Sequence, residues 1–434
     1  MANRRIRSLA WVRLLAGNAE GLWSLMLSRY LDTLEMANLA GRAGGLVNGL
    51  VIEGHGRIEE DLLQRAFELL SAEYPLLRGR IAWDDGGVLM CVPEGATVRF
   101  ECYGMPEWDD FNDVHSGWDS AELLSRLVLA RDGERFAVAF FTDHVIADGR
   151  NKVALNNRLW QFYVRLAARE AVSVRPAGSL PEAPSKVLRQ RFRDRSTAGT
   201  AAREPEQPDY KERDDVHREI PGRILLSEAQ SARLQDAART HGLTVHAYIC
   251  GVVLAVQRGL LAERVGAARM ICSSAIDLRG RVEPPVGSTE VTNFSLLHHT
   301  KLDVAAGSDP AGLGREFKSE FDAALARHEP QHDLLNLAES RHRIWGGEPP
   351  AESAALAIVT NVGDITPPVA DSGVKITDVY LTRPRDRAFS YPIYGIHTIN
   401  GRISVKYCLP SGAFTQETAG ELEAAIVRGL EGWA

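Results

Sequence analysis

The sequence predicts an α/β protein built of two halves, each a sheet layered with helices. Three observations predict it. At 434 residues the chain exceeds what one hydrophobic core usually serves. Strand-like and helix-like runs alternate along both halves. Between the halves, Pro176, Pro181, Pro184, Pro205 and Pro208 mix with charge and small residues, and apolar periodicity vanishes, as in a linker. The domains so read are 1–177 and 219–434, joined by 178–218.

In the first half, residues 46–53 read as a strand. Over 58–73 apolar residues recur at Leu62, Leu63, Ala66, Phe67, Leu69 and Leu70, a helical period with one buried face, and Pro75 ends it. Shorter strands follow at 87–92 and 98–103. Two alternating runs, 125–130 and 136–142, flank Arg131-Asp132-Gly133-Glu134, and Asp-Gly readily supplies the positive φ of a hairpin turn. After Gly149, residues 152–169 read as a helix with Val153, Leu155, Leu159, Trp160 and Tyr163 toward the core.

The second half restarts with a strand at 223–226. Ser227, with Gln230 three residues on, is a helix N-cap, and Thr244 caps another helix through Leu260. Strands are read at 268–276, 295–302, 355–360, weakly at Leu381, and at 394–400 and 402–409. Asn400-Gly401 is a hairpin turn between the last two. A closing helix covers 416–430.

Composition narrows the function classes. With 45% hydrophobic and 25% charged residues the chain is an ordinary globular protein. A formal charge of -7 argues against a general nucleic-acid binder, which needs a basic face. The five cysteines are scattered and lack metal-ligand spacing, so they read as reduced core residues of a cytoplasmic protein. The apolar stretch behind the basic start, Leu9 to Leu15, is short and interrupted by Arg13, so no export signal is read. No apolar run is long enough to span a bilayer.

One stretch carries chemistry: His144-Val145-Ile146-Ala147-Asp148-Gly149. It closes a strand-like run and precedes a helix-like one. A histidine at a strand end, with an aspartate one tight turn later, makes a general base with an organiser beside it. The bland alternative is a turn in which Asp148 caps the helix and His144 packs as a core residue. By composition such a pattern arises by accident in about one chain in twenty, so its placement matters more than its letters.

Competing signals are weak. His298 and His299 are adjacent, which sends their rings to opposite faces of a strand. His328 and His332 have helical spacing, but Pro330 stands between them and reads as a breaker. No metal site is assigned. There is no Walker sequence, no dinucleotide fingerprint and no Gly-x-Ser-x-Gly elbow, so serine acyl-enzyme chemistry is unsupported. Asn293 either donates a hydrogen bond near the site or caps a strand end. Asn361, in Thr360-Asn361-Val362-Gly363, either lines a cleft or satisfies local backbone.

Beyond His144–Gly149, two regions and the chain's start carry a family likeness. One region is Ile276-Asp277-Leu278-Arg279-Gly280-Arg281, with Pro284-Pro285-Val286 and Thr289-Glu290-Val291-Thr292-Asn293. The other is the hairpin from Tyr394 to Leu409 with its trailing helix. Near the start are Leu14-Leu15-Ala16-Gly17 and Glu20-Gly21-Leu22-Trp23. The chain resembles the chloramphenicol-acetyltransferase-like superfamily, which includes peptide-synthetase condensation domains. Within it, the likeness is to stand-alone polyketide-associated acyltransferases that esterify phthiocerol-like diols.

The resemblance implies two α/β sandwich subdomains in a V-shaped, pseudo-dimeric arrangement with a central channel. It implies His144 as the general base that takes a proton from an acceptor, which then attacks an acyl thioester directly. Asp148 is implied to pair with Arg279 and hold the loop, and Gly149 to let the backbone turn and leave room beside the histidine. The donor is an acyl carrier protein or an acyl-coenzyme A, the acceptor a small alcohol or amine, and no further cofactor is required. Two halves in one chain suit a monomer.

The amide-forming and wax-ester branches place a second histidine before the catalytic one, where this chain has Asp143. That weakens the case for amide-bond formation and for wax-ester synthesis, without touching the general-base role. The alternatives are an amide-forming condensation enzyme and a non-catalytic carrier-docking module. Arginines at 189, 191, 193 and 195, and at 383, 385 and 387, either steer an acidic carrier or are solvated charge.

Overall fold

The computed structural model describes residues 25–40, 47–105, 118–193, 219–261, 266–339, 355–367, 369, 373–382, 391–411 and 413–432. The start of the chain and Arg195, Arg383, Arg385 and Arg387 lie outside them. In the first half the elements are β1 (Leu25–Tyr30), α1 (Thr33–Ala40), β2 (Val47–His55), α2 (Glu60–Glu73), β3 (Arg80–Asp84), β4 (Gly87–Pro93), β5 (Phe100–Gly104), β6 (Ser125–Asp132), β7 (Arg135–Asp143), α3 (Gly149–Ala167) and α4 (Pro184–Arg191). The second half holds β8 (Glu219–Leu225), α5 (Glu228–Thr240), α6 (Val245–Leu260), β9 (Ala267–Asp277), β10 (Ser295–Ala305), α7 (Pro310–Ala326), α8 (Glu329–Glu339), β11 (Ala355–Asp364), β12 (Lys375–Thr382), β13 (Ile393–Ile399), β14 (Arg402–Pro410) and α9 (Gln416–Glu431).

Two units emerge. Unit 1 comprises Met1–Val187, Gly287–Asn293 and Pro367–Thr377; unit 2 comprises Leu188–Val286, Phe294–Thr366 and Asp378–Ala434. Two short segments of the second half thus belong to unit 1, which a sequence divided at one linker does not anticipate. Of that linker, 184–191 form α4 and 194–218 lie outside the described residues.

Unit 1 is built on a five-stranded sheet of order β12-β2-β7-β6-β5, to which β12 brings its first residues. The Asp-Gly turn forms as expected, with Gly133 at φ 57, and joins β6 to β7 in antiparallel register. β7 is the central strand, buried from Phe136 to Asp143. Helix α2 packs on α3, and Phe67 sets its ring edge-on to Phe140 of β7 at 5.8 Å. At Gly54 of β2 the Lys375 carbonyl comes so close that a Cβ would stand 2.5 Å from it, which requires glycine there. A second sheet, β1-β4-β3, completes the unit.

Unit 2 carries a six-stranded sheet of order β10-β9-β11-β13-β14-β8. β11 runs parallel to both neighbours and the remaining pairs are antiparallel. Asn400 (φ 46) and Gly401 (φ 74) make the β13–β14 turn. Ser227 and Thr244 cap α5 and α6 through their hydroxyls, as their spacing predicts. Helix α6, buried over 247–254, packs against α7 and α9. Pro330 does not break a helix; it lies in the first turn of α8, where its missing N–H has no partner to lose. His328 precedes that helix at φ 57. Cys91, Cys250 and Cys272 are core residues as read, whereas Cys102 is exposed on the edge strand β5 and Cys408 is half-buried. Among the described residues no single helix is long and apolar enough to cross a membrane.

Helices α6 and α7 cross at Gly251 and Gly314. A Cβ at Gly251 would land on the Pro310 carbonyl, and one at Gly314 would sit 3.0 Å from the Ala247 carbonyl. Alanine in a helix is favoured over glycine by about 1 kcal/mol, but the obstacle here is backbone, which cannot swing aside. Gly251→Ala should therefore lower stability by about 1–3 kcal/mol, read from urea unfolding midpoints at unchanged slope.

Candidate active site

The loop between β7 and α3 is held by bonds to several of the carbonyls it turns through. Ala147 O accepts from His144 Nδ1 at 2.9 Å. Ile146 O accepts from the Tyr74 hydroxyl at 2.5 Å, and His144 O from Asn293 Nδ2 at 3.1 Å. Ile146 N closes back on Asp143 O at 3.2 Å. Val145, Ile146 and Ala147 are fully buried, while His144 remains partly exposed. The packed-core reading of His144 is thus set aside.

A carbonyl oxygen only accepts, so His144 Nδ1 must carry the proton in its bond to Ala147. In the neutral ring that leaves the lone pair on Nε2. The imidazole is thereby set in the tautomer whose Nε2 is the unprotonated nitrogen.

Asp148 does cap the following helix. Its Oδ1 accepts from Arg150 N at 2.9 Å and Asn151 N at 3.0 Å, and its own N–H donates to Asn151 Oδ1 at 3.3 Å. This reciprocal cap is the first turn of α3. Capping and support of the loop are one function: the residue that starts the helix also ends the histidine turn. Gly149 is the first helical residue of α3, a conformation open to any residue, so the turn itself does not demand glycine.

Asp143, at the position of the second histidine of the amide-forming branch, is completely buried. One oxygen accepts from Val145 N at 2.9 Å and the other from the Ser120 hydroxyl. It shapes the entry to the loop as Asp148 shapes the exit. Lys152, one turn into α3, is also buried and donates from Nζ to Asn48 O at 2.7 Å. Burial pushes its ammonium down to about 7, while Asp143 and Asp148 hold it up. Sequence reasoning missed it, although a signal was there: Lys152 shares a helical stripe with Asn156, Leu159 and Tyr163, all of them buried.

Asn293 belongs to the segment Gly287–Asn293 that unit 1 takes from the second half. Asn151 Nδ2 donates to the Ser288 and Val291 carbonyls of that segment, and Thr292 Oγ1 donates to Glu35 Oε1 at 2.5 Å. Glu35 is fully buried and bound by Arg29 through two nitrogens, at 2.6 and 2.8 Å. Burial pushes its carboxyl above the ordinary range, against the pull of Arg29 and Thr292. Of the two readings of Asn293, the structure has the first: it donates a hydrogen bond at the site, to the His144 main chain.

In unit 2, Arg279 is 5% exposed, so it is no solvated loop residue. It opens a short 3₁₀ turn and donates from Nη1 and from its backbone N to Asp277 Oδ1, both at 3.0 Å. Asp148 and Arg279 fall in different units, each with these partners in its own. Asn361 Oδ1 accepts from Gly363 N at 2.9 Å, across the irregularity in β11 where Gly363 has φ 79. That is the local-backbone reading. His299 Nδ1 meets the Ser273 hydroxyl at 2.6 Å, and His328 and His332 set their rings edge-on to Phe192. Burial lowers His246, His299 and His397 to about 4, so these rings are neutral. Among the described residues no group of three or more potential ligands is arranged to hold a metal. Arg189 and Arg193 are exposed on and after α4, and Arg191 donates to Pro285 O at 3.1 Å.

Asn293→Ala should remove the bond to the His144 carbonyl and lower stability by about 1–3 kcal/mol, whereas Tyr74→Phe should lower it by about 1 kcal/mol or somewhat more. Equal melting behaviour of wild type and Asn293→Ala would show that the loop does not depend on this bond.

Residues 217–408 match the family described as Phthiocerol/phthiodiolone dimycocerosyl transferase C-terminus. Comparison with curated protein sequences finds no match. Among solved structures the chain is similar to polyketide synthase associated protein 5 from Mycobacterium tuberculosis, at 20% identity and a TM-score of 0.71 over 94% of this chain and 97% of that one. It is similar to trichothecene 15-O-acetyltransferase from Fusarium sporotrichioides, at 11% identity and 0.74 over 94% and 95%. The first condensation domain of the calcium-dependent antibiotic synthetase follows at 16% identity and 0.70 over 94% and 97%. The chain therefore has the fold shared by chloramphenicol-acetyltransferase-like and condensation enzymes, and over residues 217–408 it matches the phthiocerol-transferase type within that superfamily.

Proposed function

We propose that this chain is an O-acyltransferase that moves an acyl group from a thioester to a hydroxyl acceptor, with His144 as general base. The observation that carries the reading is the 2.9 Å bond from His144 Nδ1 to Ala147 O, which makes Nε2 the basic nitrogen of a partly exposed ring. Nε2 takes the hydroxyl proton as the oxygen attacks the thioester carbonyl. The tetrahedral intermediate collapses with cleavage of the carbon–sulfur bond, and the imidazolium returns the proton to the departing thiolate. No step forms a covalent bond to the protein. The donor is an acyl chain on coenzyme A or on a carrier's phosphopantetheine, and the reaction needs no other cofactor.

Asp143, a carboxylate committed to the loop where the amide-forming and wax-ester branches place a second imidazole, counts against amide formation and against wax-ester synthesis. The transferase description of the matched family points the same way, toward assembly of polyketide-derived or lipid esters. Likeness to a condensation domain keeps amide formation as the second reading.

Incubating the protein with acyl-coenzyme A and a panel of alcohols should release free thiol and yield a product cleaved by mild base, as an ester is and an amide is not. His144→Ala should slow thiol release by about 10²–10⁴-fold while the protein melts as wild type does. Undiminished turnover in that variant would end the general-base assignment. Carrier binding without thiol release, with every acceptor tried, would favour a docking module.

A further inference from the structure

We propose that Glu35, clamped by Arg29, is a positioning residue for His144: it fixes the segment Gly287–Asn293 at Thr292, and that segment holds the His144 carbonyl through Asn293. The catalytic part of the inference rests on the reading of His144 as the base; the positional part is tested without turnover.

A chain of hydrogen bonds joins Glu35 of α1 to the histidine loop. Arg29 of β1 donates from Nη2 to Glu35 Oε1 at 2.6 Å and from Nη1 to Oε2 at 2.8 Å. Oε1 also accepts from Thr292 Oγ1 at 2.5 Å, and Oε2 from Asp32 N at 2.9 Å. Asn293 follows Thr292 directly, and its Nδ2 donates to His144 O at 3.1 Å. Glu35 and Thr292 are 0% exposed and Asn293 1%, and all these residues belong to unit 1. Consecutive Cα atoms stand about 3.8 Å apart, so a shift at Thr292 is passed to Asn293 with little slack.

The same ion pair reaches the segment by a second route. Arg29 Nε donates to Pro181 O at 2.7 Å, and Asp32 Oδ2 accepts from Ser185 N at 2.6 Å. Between those two anchors Glu182 N donates to Glu290 O at 3.0 Å, and Glu182 forms a parallel bridge with Val291. A guanidinium that meets a carboxylate through two nitrogens fixes the plane of both groups. Glu35 Oε1 therefore cannot turn from Thr292 without breaking a charge-assisted bond. Buried ion pairs add little stability over apolar packing of the same volume. What this one supplies is a fixed place for Thr292, and through Asn293 a fixed His144 backbone over which Nδ1 meets the Ala147 carbonyl.

The test uses the full chain labelled with ¹⁵N at histidine, the His144 ring being assigned by loss of its signals in His144→Ala. Wild type should show His144 as the Nδ1–H tautomer. Thr292→Val removes the hydroxyl, keeps the shape and leaves Arg29 on Glu35. At a temperature where it is fully folded, it should lower the ratio of Nδ1–H to Nε2–H by roughly tenfold, the scale of one lost coupling. Thiol release should slow by about tenfold or more through a lower kcat. Glu35→Gln, which breaks the two-nitrogen grip of Arg29, should move the ratio the same way, and Thr292→Ser should keep it near wild type. Added to Asn293→Ala, Thr292→Val should change the ratio no further, because the coupling runs through Asn293. A wild-type ratio in both Thr292→Val and Glu35→Gln overturns the proposal, as do a Thr292→Ser variant as disturbed as Thr292→Val and full additivity with Asn293→Ala. Should Thr292→Val fail to fold, the same readings are taken on Thr292→Ala, and failure of both to fold overturns positioning in favour of a purely structural bond. If the ring responds as stated while no thioester is ever consumed, the positioning role stands and the acyltransferase reading falls. If thiol is released with the ring unmoved in every variant, the acyltransferase reading stands and the positioning role falls.

Discussion

The hydrogen bond from His144 Nδ1 to the Ala147 carbonyl selects a tautomer only as long as residues 143–148 keep one shape. A bond that closes over three residues is easily formed and easily lost, since it spans a turn with little strain to hold it. Its persistence comes from the anchors around it: Tyr74 on Ile146 O, Asn293 on His144 O, and an aspartate at each end of the turn. These anchors lie on a helix terminus, a central strand, the start of a second helix and a segment from the far half of the chain. The precision of a reactive nitrogen thus rests on rigid elements converging on a loop.

The same anchors impose an electrostatic constraint. Carboxylates make strong, charge-assisted acceptors for backbone N–H groups, which is why aspartate serves at both ends of the turn. Lys152 on the first turn of α3 is buried too, and both carboxylates favour its charged form. Its Nζ donates to Asn48 O, which ties that helix to β2.

What the sequence disclosed divides along the range of the interaction involved. The β6–β7 hairpin, the α3 helix and the caps at Ser227 and Thr244 are decided by neighbours within a few residues, so turn chemistry and periodicity suffice. Asp309 ahead of Pro310 is an equally local start signal for α7. Pro330 in fact begins α8, and only the position of a proline within the first turn distinguishes the two outcomes. Strand β3 was lost for another reason: Arg80 and Asp84 frame just three residues, too few to show a period. At the site, His144 and Asp148 were legible because their partners are close in sequence. The tether by Asn293 was legible only as one of two alternatives, since its partner stands 149 residues away. Asn361 was ambiguous for a related reason, as a strand-end amide looks alike whether it meets ligand or its own backbone.

That long separation has a consequence for how the site forms. β6, β7, α2 and α3 are contiguous or nearly so, and they can assemble from contacts of short loop closure. The bond from Asn293 to the His144 carbonyl, however, forms only when Gly287–Asn293 has docked, through Asn151 on the Ser288 and Val291 carbonyls and Thr292 on Glu35. The segment lies between β9 and β10, the two longest-paired strands of unit 2. Its arrival therefore requires most of the polypeptide to have been made and those strands to have been placed. The turn that carries His144 can be drawn by the first half of the chain, but the full set of bonds that fixes it is completed by the second.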